Sequence, residues 1–185
     1  MIPFTASATN RNALVRHRRL PQDWIDAFTT RIGHSVQWLS LVMALVMVVI
    51  VVLRYSFGMG AIFAQELVLY LHSTLFLLGA AYTLKTDGHV RVDIFYQRFT
   101  VRQKAWVNAL GHVVFTIPVG LFIALSSIDF VEPSWRMRET SPEPGGIPAV
   151  FVLKTLIPIS ASLLVLQALG EIARALTLLL DSGDN

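Results

Sequence analysis

The sequence contains no cysteine. Disulfides, thiolate metal sites, iron–sulfur clusters and cysteine nucleophiles are therefore excluded, and the redox compartment leaves no mark on the chain. Charge is scarce too: only 15% of the 185 residues are Asp, Glu, Lys or Arg, against about 25% in an ordinary soluble domain. Motifs of soluble chemistry are missing, with no HExxH, no P-loop, no serine-nucleophile motif and no paired carboxylates at a midplane. What is present is apolar: 54% of the chain is hydrophobic and the mean hydropathy is +0.59. A bilayer span needs about 20 predominantly apolar residues, so four spans and their loops use most of the length and leave no room for a sizeable soluble domain. The net charge of +3 and the pI near 9.6 do not imply nucleic acid. The basic residues flank the apolar blocks, as orientation on an anionic membrane requires.

The pattern predicts an all-α integral membrane protein of four transmembrane helices with one or two interfacial amphipathic helices. Residues 1–20 read as a flexible basic tail, 21–180 as the membrane domain and 181–185 as a C-terminal tail. The spans are expected at about 34–53, 62–84, 105–131 and 149–173. The first apolar run begins only near Trp38, which is unlike a cleaved signal peptide. From Pro21 a helix is expected, with Trp24, Ile25, Phe28 and Ile32 on one face and Asp23, Asp26 and Arg31 off it. It would either lie in the interface or form the first turns of the span. Arg54 and Tyr55 end the uncharged first span, and Glu66 stands in the first turn of the second, where a carboxylate complements the helix dipole. Gly79, Ala80 and Ala81 permit close helix approach. Pro118 should kink the third span. Residues 132–148, with Pro133, Pro142, Pro144 and Pro148, read as a turn-rich loop and not a helix.

The stretch KTDGHVRVDIFYQRFTVRQK, Lys85 to Lys104, is the long polar interval between two apolar blocks. It carries Lys85, Arg91, Arg98, Arg102 and Lys104, and its stripe Val92, Phe95, Tyr96, Phe99 predicts a short interfacial helix. With Arg11, Arg16, Arg18, Arg19 and Arg31 on the same side, ten positive charges oppose three on the other, Arg54, Arg136 and Arg138. By the positive-inside rule both termini are cytoplasmic.

The strings LRYSFG, QEL at 65–67 and LGAAYTLKTDGHVRVD at 78–93 resemble the small membrane subunit of TRAP transporters, the DctQ-like family. The sharpest part is Gly79, Ala80 and Ala81 followed by Lys85, Gly88, His89, Val90, Arg91, Val92 and Asp93. SPEPGGIP with LKTLIPISASLLVLQALGE is similar to the branch labelled for mannitol or chloroaromatic compounds. Where members often carry paired carboxylates, this chain has Gln65-Glu66. The resemblance covers all four spans. It implies a non-enzymatic subunit of a bacterial inner-membrane importer that braces the scaffold of a large multi-span permease subunit. That larger subunit would hold the substrate and sodium sites, and a periplasmic substrate-binding protein would deliver a small organic solute. No cofactor is expected in the small subunit.

Candidate residues follow from chemistry and position. Arg54, Glu66, Tyr70, Trp135, Arg136 and Arg138 are candidates for contact with a partner subunit or the binding protein, Arg54 and Glu66 also for pairing with each other. Trp24, Lys85, Arg91, Arg98, Arg102, Lys104 and Trp106 are candidates for lipid headgroup contacts. Arg91 with Asp93, and Glu171 with Arg174, are expected structural pairs, with Gln167 on the face of the latter. Lys154, inside the fourth span, would snorkel outward or meet a carboxylate or a lipid phosphate. The alternative reading is a haem-carrying membrane anchor of a respiratory enzyme, with His72 and His112 as ligands. Counting from the inner ends of their spans puts the two histidines roughly 8 Å apart in depth, against a shared haem.

Overall fold

The computed structural model describes residues 21–88 and 98–181. The expected tail 1–20, the interfacial stripe over 92–96 and the Arg91–Asp93 pair lie outside the described residues. Within them the protein is all-α. The helices are α1 (Pro21–Val36), α2 (Trp38–Phe57), α3 (Ile62–Lys85), α4 (Val101–Gly111), α5 (Ile117–Ser126), α6 (Ile128–Met137) and α7 (Val150–Asp181), with a π-helical turn at His112–Thr116 between α4 and α5. Four helical runs are long and apolar enough to cross a membrane: Gln22–Phe57, Ile62–Lys85, Val101–Met137 and Val150–Leu180.

Each boundary has a local cause. α1 runs into α2 through Gln37, whose backbone stays helical. Gly58 ends α2 at φ 64°, and the next amide, Met59, closes the end on the Leu53 carbonyl. α4 opens with a capping box: Thr100 Oγ1 accepts from the Gln103 amide at 3.3 Å, and Gln103 Oε1 accepts from the Thr100 amide at 2.9 Å. Pro118 has no N–H to donate to the turn before it. The chain absorbs this in the wider π turn, and Pro118 then sits at the start of α5, where a missing donor costs little.

The segment after Ser127 corrects the reading of 132–148 as all loop. Residues 132–137 belong to α6, and the turn-rich segment starts at Arg138, whose φ of 46° ends the helix. Pro133 is tolerated because tertiary packing outweighs its local penalty. Ser134 is buried, Trp135 stacks edge-on against Phe151 of α7, and Glu132 pairs with Arg136 one turn on.

α7 is the hub, packing against α1, α3, α4, the π turn, α5 and α6. Among the described residues α2 packs chiefly on α3 and α1, with Ile50 its one buried side chain. Apart from Val36 and Ile50, the buried apolar residues among those described are all small: Ala81, Ala105, Ala109, Ala161, Ala168 and Ala175. That is how helices associate where lipid is as apolar as the core: close approach gains dispersion contacts. At Gly120 an added Cβ would lie 2.6 Å from Val165 Cγ2. The large apolar side chains point outward.

Candidate functional site at the two polar ends

Polar side chains gather at two levels. Lys154 and Arg174 mark them on α7, 20 residues or about 30 Å apart at helical rise, which matches the hydrocarbon thickness.

At the first level the segment after α6 is tied down twice. Glu139 Oε2 accepts from Lys154 Nζ at 2.5 Å and from Ser134 Oγ at 2.6 Å. These two bonds hold the Glu139 carboxyl below the usual carboxylate range, Lys154 contributing most. Lys154 also lies 4.1 Å from the Phe130 ring centroid, a cation–π contact. Its partner is thus a carboxylate of this chain. The second tie is Glu66, which accepts from the Ser141 hydroxyl and from the Ile147 amide, the latter at 2.6 Å. Gly146 makes room for it, since an added Cβ would sit 2.6 Å from Glu66 Oε1.

The candidate contact residues distribute around this end. Glu66 faces the loop and does not meet Arg54, which is exposed and makes no hydrogen bond or ion pair among the described residues. Tyr70, one turn from Glu66, has a buried hydroxyl with no partner among the described residues. Trp135 is half-exposed, its Nε1 donating to Thr155 Oγ1 at 2.8 Å. Arg136 is exposed and paired with Glu132, while Arg138 and Glu143 are exposed beside it.

The second level joins α1, α3 and α7. Glu171 and Arg174 form an ion pair at 2.7 Å, and Arg174 also pairs with Asp26 of α1. Gln167, fully buried, accepts from Thr29 Oγ1 at 2.8 Å and donates to Asp26 and Glu171 at 3.1 and 3.0 Å. Lys85 turns inward, donating to the Asp26 carbonyl at 3.1 Å and to Thr30. A polar cleft of about 210 Å³ beside them is lined by Lys85, Asp87, Asn108, His112, Glu171 and Arg174. α1 therefore directs Asp26, Thr29 and Thr30 into the bundle, whereas Trp24 and Phe28 stack on each other outside. Sequence reasoning missed Asp26, Thr29 and Thr30. The available signal was a buried-type polar pair, Thr29 and Gln167, in apolar surroundings, but the pairing spans 138 residues. Arg98, Arg102 and Trp106 are exposed, and Lys104 is half-buried beside Glu171 and Arg174.

The two histidines do not converge. His112 is buried, its Nδ1 3.2 Å from Thr116 Oγ1, whereas His72 is exposed on α3 and stacks on Phe76.

The family model described as tripartite ATP-independent periplasmic transporters, DctQ component, matches residues 25–178. The chain belongs to this family. It is the small membrane component of a TRAP transporter, a system that also comprises a large permease and a substrate-binding protein. No curated protein and no solved structure matches the chain.

Proposed function

We propose that this DctQ-family chain is the stationary brace of its importer. It holds the scaffold of the large transport subunit in the bacterial inner membrane, both termini cytoplasmic, while that subunit carries a small organic solute inward with a coupling ion. By family resemblance the ion is sodium and its site lies in the large subunit. One observation supports the reading above the others: the polar clusters lie at the two ends of α7, and between them small side chains such as Ala161 and Gly120 close the interior. Secondary transporters instead place broken helices and ionisable groups near the midplane, in repeated halves. Co-expression tests the reading: the large subunit should co-purify with this chain, and its absence from the purified material would refute the brace.

The same reading places the loop end toward the periplasm, where the binding protein arrives. Two ties and several prolines lower the entropy cost of holding one loop shape, and Arg136, Arg138, Glu143 and Trp135 stand at its surface. Reversing Arg136 and Arg138 to Glu should slow uptake at limiting binding protein, less so at high salt, because rim charges mainly govern association. Unchanged uptake at every binding-protein concentration would remove the docking role. Loss of the large subunit from the purified complex would reassign the loop to the subunit interface.

A further inference from the structure

Beyond its first turn, where Ile62 and Phe63 are also exposed, α3 exposes one stripe: Gln65, Leu69, His72 and Phe76. Their spacing of four, three and four is that of a helix–helix seam. His72 is ten residues from the start of α3 and thirteen from its end, so it stands about 15 and 20 Å from the two ends, close to the middle of the span. Its ring touches Phe76 and makes no hydrogen bond among the described residues. Exposed hydroxyls elsewhere are satisfied within their own helices: Ser162 donates to the Pro158 carbonyl and Ser126 to the Phe122 carbonyl. The His72 ring has no such bond to its own helix among the described residues. Left in lipid, it would carry unmet donor and acceptor groups at the depth where they cost most. The outer faces of α2 and α5 carry no comparable burden, their exposed centres being Leu45, Val48, Val52, Leu121 and Phe122.

The stripe runs into a groove of about 600 Å³ between α3 and the α1–α2 junction, which Phe76 and Gly79 line with Gly33 and Val36. A Cβ added at Gly79 would meet nothing within 4 Å. Among the described residues, therefore, no neighbouring helix packs on this small residue.

We infer that the Gln65–Leu69–His72–Phe76 face of α3, continued by the groove at Gly79, is the seam on which a membrane-spanning helix of the large permease subunit packs. That helix brings a hydrogen-bonding side chain to His72. The inference rests on the brace reading and adds to it which face does the bracing.

Because the chain has no cysteine, each introduced thiol is unique. A benzophenone would be attached at Leu69→Cys or Phe76→Cys, and for comparison at Val48→Cys or Phe122→Cys, in membranes holding the complex. Illumination should join this chain to the large subunit from positions 69 and 76 and not from 48 and 122. Adducts to the large subunit from 48 or 122 alone would overturn the seam while leaving the brace. Adducts from 69 and 76 only to lipid, or to a second copy of this chain, would overturn it as well. If the unsubstituted chain fails to co-purify with the large subunit, the brace falls and the seam with it. His72→Leu should lower recovery of the large subunit roughly threefold, the worth of one average interhelical hydrogen bond, and His72→Gln should restore most of it. Equal recovery for Leu and Gln would remove the hydrogen bond from the account.

Discussion

Glu139 is a charged residue that lies outside the spans and still has a defined task, holding the start of the loop against Lys154 and Ser134. Its carboxyl is held below the ordinary value of 4.5, first by the Lys154 hydrogen bond and then by that of Ser134. A depressed folded value means that the bond stabilises the loop above the ordinary carboxylate value and loses its effect as the pH falls through the lower folded one. Protection of the amides across residues 138–149, taken relative to the intrinsic exchange rate at each pH, should therefore be high at neutral pH and fall on acidification below about 4.5, the ordinary value. Glu139→Gln should make the loop exchange faster at neutral pH and flatten this dependence. An unchanged pH profile in that variant would show that Glu139 does not control the loop. The sequence left Lys154 to snorkel outward or to meet a carboxylate or a lipid phosphate, and nothing local singled out Glu139 as that carboxylate.

At the scale of elements, apolar run length made four membrane-spanning helices legible, since nothing but lipid accommodates such runs. Irregularities within the helices were less legible. Pro118 announced a disturbance but not its form, because a kink and a π turn answer the same missing donor. Pro133 misled outright: the contacts of Trp135 and Phe130 with α7 fold it into α6, and neither is local. For α1 the sequence placed Asp26 only off the apolar stripe, without a partner. In this chain Asp26 meets Arg174 inside, and the aromatic face looks out. Small residues are the clearest packing signal, and they differ in consequence. Gly120→Val should separate α5 from α7 and destabilise the isolated chain by about 1–3 kcal/mol, the usual cost of overpacking. Gly79→Ala, with open space around it, should cause no loss. Thermal unfolding in detergent reads both, and equal midpoints for the two variants would contradict the packing described.

For the whole molecule, orientation and dependence on partners are the properties that matter. The sequence puts ten basic residues in the N-terminal and middle segments against three in the other two loops, so on the positive-inside rule a cytoplasm-active reporter fused after Gln97 or at the C-terminus should be active, and one at Ser141 should report the periplasm. A periplasmic signal after Gln97 would invert the layout and move the Glu66 loop to the wrong side for a binding protein. The shape of the bundle follows from the same division. Two polar ends sit at the bilayer edges, small residues hold the helices together, and a broad apolar circumference is left for lipid and partner. On the proposed reading such a body braces transport without performing it. Solute uptake into liposomes containing this chain alone, the large subunit alone, or both, each with and without the binding protein, tests this most directly. Ion-driven uptake is expected only when all three components are present. Ion-driven uptake by this chain alone would contradict it.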